Sequence, residues 1–78
     1  MITRDEARER ISGHVDILMN QSGVSQNELS RRSGVAQSRI SLLRKGELLP
    51  NPADLWNVAE ALGVTLDDLM APLPEMAQ

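Results

Sequence analysis

The chain has no cysteine, no tyrosine and no phenylalanine, and it has a single tryptophan and a single histidine. Without cysteine, neither a disulfide nor a thiolate-bound metal can stabilise the fold. With His14 as the lone imidazole, a zinc site would need carboxylates as well, and none is expected. The scarcity of aromatic rings argues against recognition of single-stranded nucleic acid, which stacks its bases on such rings. No apolar run approaches the roughly 18 residues of a membrane span. The start Met1-Ile2-Thr3-Arg4-Asp5-Glu6 is too polar for a secretory signal, so a cytoplasmic location is expected. No Ser-His-acid set is suggested by spacing, so neither an enzyme nor a bound cofactor is expected.

What is present is 78 residues, enough for one domain with a modest core. That core must be made of Leu, Ile, Val, Ala and Met, which suits helices packed on helices. The net charge of −3 speaks against nucleic acid, but distribution matters more than the sum. Gln26 to Gly46 holds five basic residues (Arg31, Arg32, Arg39, Arg44, Lys45) against one acid, Glu28, and Glu47 to Gln78 holds six acids and no base. A basic band thus sits inside an acidic chain. Charge alone is equally compatible with an ordinary solvated face.

Helix signals recur along the chain. Thr3 with Glu6 spells a capping box, followed by Ala7, Ile11, Val15 and Leu18 at helical spacing. Gly13 weakens this first helix without breaking it, and the helix ends near Gln21. Ser25 with Glu28 spells a second capping box. It opens a short helix that stops at Gly34, a left-handed C-cap. A third helix runs from about Gln37 to Lys45, with Ile40 and Leu43 inward, and Gly46 ends it. Asn51-Pro52 places a cap and a proline at the first helical position of a fourth helix, whose stripe is Leu55, Val58, Ala59 and Leu62. Thr65 with Asp67 and Asp68 starts a short fifth helix, the acids complementing its positive end. Residues 1–71 form the expected all-α, five-helix domain, and 72–78 a short C-terminal tail.

Two short helices joined by a tight turn containing glycine make a helix-turn-helix. Ser30 is small enough to let the two helices cross closely, and Gly34 supplies positive φ. Leu29, Val35, Ile40 and Leu43 anchor both helices to the core. Gln37, Ser38, Ser41, Leu42 and Lys45 then share the opposite face of the third helix, flanked by Arg39 and Arg44. Such a face suits the major groove of duplex DNA.

The segment SQNELSRRSGVAQSRISLLRKGELLPNPADLWNVAEALGVTLDDLM, from Ser25 to Met70, resembles the lambdoid phage repressor and Cro family, also called the XRE family. The pieces SQNELSRRSGVAQSRIS and EALGVTLDDLM carry most of the likeness. The resemblance implies a sequence-specific transcriptional regulator, a repressor acting as a homodimer on a palindromic operator. It implies a phosphate contact from Gln26 at the start of the second helix, base contacts from Gln37, Ser38 and Leu42, and a place near the DNA backbone for Arg39. Ser41 joins the candidate base readers, and Arg44 and Lys45 the candidate phosphate contacts.

The chain departs from the family pattern in three ways. Ala36 stands where Ser or Thr usually caps the recognition helix, a loss of about 1 kcal/mol. Leu42 stands where a polar reader is common and could touch a thymine methyl. The arginine of the first helix and the glutamate of the third, which many members pair, appear here as Met19 and Arg44. Loss of both partners together would leave Arg44 free to add charge on the DNA side.

A domain this small presents too few contacts for useful specificity, and two-fold symmetry is the usual remedy. The candidate self-contact lies around Leu49, Val64 and Leu66, with Trp56 as possible anchor. Core packing is the first expectation for Trp56. Leu48 and Leu49, in the loop before Pro50, can fold back on the core or serve an interface. A different class of function stays open: an antitoxin or co-regulator whose main role is to bind a protein such as a toxin.

Overall fold

A computed structural model describes residues 1–74. Its five helices are α1 (Arg4–Ser22), α2 (Gln26–Ser33), α3 (Gln37–Arg44), α4 (Pro52–Leu62) and α5 (Leu66–Met70), with no strand among the described residues. Each boundary has a local cause. Thr3 and Glu6 exchange side-chain and backbone bonds at the start of α1, and Thr65 and Asp68 do the same at α5. Asn51 accepts from the Asp54 N–H at 2.8 Å, with Pro52 at the first helical position of α4. The Ser25–Glu28 box expected at α2 is only half made. Ser25 caps the Glu28 N–H, but the Glu28 carboxylate turns to Arg32, one helical turn on, at 2.8 Å. A cation at that spacing competes with the cap for the carboxylate.

Ile11, Val15 and Met19 of α1 meet Leu29, Val35, Ile40, Leu43, Val58, Ala59 and Leu69 in one buried cluster. The inward stripe of α1 is thus Ala7, Ile11, Val15 and Met19, with Leu18 only partly buried at its edge. α1 packs on α3 and α5, α2 on α3 and α4, and α4 on α5. Full burial stabilises by about 1.5–3 kcal/mol per large aliphatic side chain. Truncating Leu29 or Ile40, both fully buried, to alanine therefore costs about 2–5 kcal/mol, much of a small domain's stability.

Polar side chains of α1 close the far end of α5. Arg10 Nη1 donates to the Met70 carbonyl at 3.1 Å, and His14 Nε2 lies 2.9 Å from the Ala71 carbonyl oxygen. Beyond α5, Leu73 lies directly over Gly13; a Cβ on Gly13 would come within 2.5 Å of a Leu73 methyl. Gly13 is therefore a place of close approach as well as a weak helix former, and packing on α1 reaches two residues past the expected boundary at residue 71.

The α2–α3 turn carries the site, and its backbone groups are satisfied locally, as burial requires. Gly34 sits at φ 75° and donates its N–H to the Ser30 carbonyl. The Ser30 hydroxyl donates to the Val35 carbonyl at 2.6 Å, and the Val35 N–H donates to the Ser33 hydroxyl at 3.2 Å. Buried Ser33 in turn donates to the Leu29 carbonyl at 2.7 Å. Ser30 is thus more than a small residue at a crossing, since its hydroxyl staples the turn. Sequence reasoning overlooked Ser33; its only signal is a serine immediately before the C-capping glycine.

Candidate nucleic-acid interface

α3 is eight residues long, about 12 Å at 1.5 Å per residue, comparable with the width of the major groove. Ile40 and Leu43 are buried, while Gln37, Ser38, Arg39, Leu42 and Lys45 are exposed and Ser41 is half-buried. The helical period, with anchors on one side, forces Gln37, Ser38, Ser41, Leu42 and Lys45 onto the other. The residues expected to read bases thus share one accessible face. Leu42 is 40% exposed, an apolar spot in an otherwise polar surface. Ala36 precedes the helix with no side-chain cap, as its missing hydroxyl dictates.

A side-chain network spans the first turns of α2 and α3. Gln37 Nε2 donates to Asn27 Oδ1 at 2.9 Å, which orients the Gln37 amide and leaves its oxygen and second N–H pointing free of that bond. Gln26 reaches across with Nε2 3.5 Å from the Gln37 carbonyl, while its Oε1 accepts from Arg44 Nη1 at 3.2 Å. Asn27 was not anticipated. Its role depends on the crossing of α2 and α3, which residue spacing does not supply.

The structure corrects the reading of Arg44 as unpaired. Arg44 Nε donates to Asp16 Oδ1 at 2.7 Å. An α1–α3 ion pair therefore exists with its polarity reversed, and its α1 member lies one turn before Met19, which is buried. Looking for a partner only at position 19 missed a carboxylate three residues earlier, on a neighbouring part of the same helix surface. The Ser12 hydroxyl also donates to the Arg44 carbonyl at 2.5 Å, so α1 holds the end of α3 by both backbone and side chain. Asp16, Gln26, Ser41, Arg44 and Lys45 line a shallow open depression of about 250 Å³.

The rest of the basic band is also less free than its composition implies. Arg32 pairs with Glu28, and Arg39 pairs with Asp54 at the start of α4 at 2.9 Å. With Arg44 on Asp16, three of the five cations are paired; Arg31 and Lys45 make no ion pair among the described residues. These pairs are solvent-accessible, so each is worth only about 0–1 kcal/mol and can give way to a phosphate.

Trp56 is not in the core; it is 57% exposed. Its place on α4 falls beside the buried Val58–Ala59 stripe rather than on it. Trp56, Ala59, Glu60, Val64, Thr65 and Leu66 line a second shallow depression of about 210 Å³. Three of the four interface candidates, Trp56, Val64 and Leu66, are thereby brought together. Leu49 is exposed but does not line this depression, and Leu48 is half-buried.

No helix among the described residues is long and apolar enough to cross a membrane, and no group of acidic or histidine side chains there could hold a metal ion. A helix-turn-helix family model matches residues 17–69. The chain is also similar to an uncharacterized HTH-type transcriptional regulator, y4dJ, of Sinorhizobium fredii (strain NBRC 101917 / NGR234), at 31% identity over 70 residues, covering 90% of this chain and 91% of that relative. No solved structure matches the chain. The matched segment contains α2, the glycine turn and α3 complete, and the likeness to the regulator runs through nearly the whole domain: the chain belongs to the XRE-type helix-turn-helix family, a family of DNA-binding regulators rather than enzymes.

Proposed function

We propose that the domain is a sequence-specific transcriptional repressor that binds a palindromic operator in double-stranded DNA as a homodimer. The observation that carries this reading is the exposed α3 face with the Gln37 amide held by Asn27. A glutamine so placed can meet adenine at N6 and N7, a contact worth about 1–3 kcal/mol of discrimination. Ser38, Ser41 and Leu42 would extend the contact along the groove. Gln26, Arg39, Arg44 and Lys45 would hold the flanking phosphates, which position the protein without carrying sequence information. Two copies sharing the patch around Trp56, Val64 and Leu66 would set their recognition helices about 34 Å apart, one turn of B-DNA.

The test is selection of bound duplexes from a random pool, with wild type and Gln37→Ala side by side. Wild type should return a palindrome, and the variant should lose preference at one base pair per half-site while melting like wild type. An unaltered preference in Gln37→Ala removes it from the reading face. The exposed Trp56 beside an apolar depression also supports a second role, an antitoxin or co-regulator that binds a protein there. Binding to random duplex at falling salt separates the two, because a DNA reader shows a steep salt slope even without its operator.

A further inference from the structure

Asp16 stands out among the groups around the reading face because it carries the wrong sign for a DNA contact. It lines the same depression as Gln26, Ser41, Arg44 and Lys45, at the start of α2 where a phosphate is expected. Its carboxylate takes the Nε–H of Arg44, and Gln26 takes one Nη1–H. Both side chains of the Asp16–Arg44 pair are partly exposed, 42% and 33% respectively, so solvent and a phosphate can compete for them. We propose that Asp16 is an electrostatic brake on DNA-backbone contact: it neutralises Arg44, so that the depression offers a phosphate one net positive charge, that of Lys45, where its cations alone would offer two. The inference rests on the duplex-binding reading above and adds a specificity-determining residue to it. Duplexes held by backbone contact alone are bound weakly, which leaves more of the discrimination to the α3 side chains.

The brake acts through Arg44 and through charge, not through shape. Replacing the carboxylate by its isosteric amide removes the charge while keeping an oxygen for the Arg44 Nε–H. In the wild type Arg44 meets a phosphate only by giving up Asp16, so that contact is made in part; in Asp16→Asn it is made in full, and a phosphate fully neutralised adds up to about 0.9 to the magnitude of the salt slope. Asp16→Asn should therefore bind random duplex about 4- to 10-fold more tightly at about 50 mM salt, and that gain should shrink by up to about 3.5-fold by about 200 mM.

The experiment measures binding to a random-sequence duplex across salt for wild type, Asp16→Asn, Asp67→Asn, and Asp16→Asn combined with Arg44→Gln. Asp67→Asn makes the same change in net charge on α5, an element packed against α1 and α4, and controls for the overall field. Melting and helicity of each variant are followed alongside. The brake requires Asp16→Asn to gain affinity and slope beyond Asp67→Asn, and requires the gain to vanish when Arg44 is also replaced. Equal gains in the two single variants, a weaker Asp16→Asn, or a gain that survives Arg44→Gln each overturn it. Wild type and every variant failing to show a salt-dependent duplex affinity would instead overturn the DNA-binding reading, a different outcome.

Discussion

Four of the five helices begin with a side chain that accepts a first-turn N–H: Thr3, Ser25, Asn51 and Thr65, at 2.8–3.1 Å. The recognition helix begins at Ala36 and has none. Replacing Ala36 by Ser restores an acceptor opposite the Arg39 N–H. A serine cap in place of alanine is worth about 0.5–2 kcal/mol. Two features of this site place the gain in the lower half of that range. The Arg39 N–H already donates to the Ala36 carbonyl at 3.0 Å, so the new bond is shared. Ala36 also has ψ 144°, short of the 162–167° of the four capped positions, so the backbone must turn slightly to present the hydroxyl. The residue is exposed, so no burial cost offsets the bond. At about 0.5–1 kcal/mol, and about 4–8 °C per kcal/mol for a domain of this size, Ala36→Ser should raise Tm by about 2–8 °C. Thermal unfolding followed by circular dichroism measures it, with Ser25→Ala as the mirror experiment that should lower Tm. A Tm for Ala36→Ser at or below wild type, while Ser25→Ala falls as expected, would refute the argument that α3 lacks only a hydroxyl.

Gly34 separates backbone strain from crowding, because a Cβ there meets nothing within 4 Å while φ is +75°. Gly34→Val should lower stability by at least about 1–2 kcal/mol, more than Gly34→Asn, since asparagine tolerates this region and a β-branched residue does not; equal denaturation midpoints for the two would sink the turn assignment. Val64→Glu places a charge in the depression beside Trp56 and Leu66, and gel shifts on a two-half-site duplex should lose cooperativity while helicity stays; cooperativity unchanged moves the self-contact elsewhere. The Thr65 backbone N–H, then its hydroxyl, hold the Asp68 carboxyl below its ordinary pKa. This stabilisation is present above the ordinary carboxylate value and is lost as pH falls through the lowered one, so Asp68→Asn should flatten the acid limb of a stability–pH curve, and a curve parallel to wild type would count against the cap.

The helices were legible because each rests on short-range chemistry. A cap acts over three residues, a C-terminal glycine acts on its own φ, and an apolar stripe repeats every three or four positions. The failures have the same locality. Glu28 lies at capping distance from Ser25 and at ion-pair distance from Arg32, and the sequence spacing satisfies both; only the fold shows the carboxylate on Arg32. Trp56 is adjacent in sequence to Leu55, which packs on the core, yet one step along a helix is about 100° of rotation, enough to carry a side chain from the core to solvent. Gly13 read as a mild defect, because nothing near it in sequence says that Leu73 will lie across it.

The reading face was legible for the same reason as the helices, since Ile40 and Leu43 determine by periodicity which residues of α3 turn outward. Its electrostatics was not. The count of five cations against one acid between Gln26 and Gly46 describes a stretch of chain, whereas charges interact through space over several ångströms. Asp16 and Asp54 lie outside that stretch, on α1 and α4, and both close onto its cations. A basic band in the sequence therefore becomes, in the folded domain, a surface on which three of five cations are held by carboxylates, two of these from other helices. Such pairs are weak enough to open against a phosphate, so they do not forbid DNA binding. They set how much of it comes from the backbone, and the residue that sets it at the start of α2 is the one acid facing Arg44.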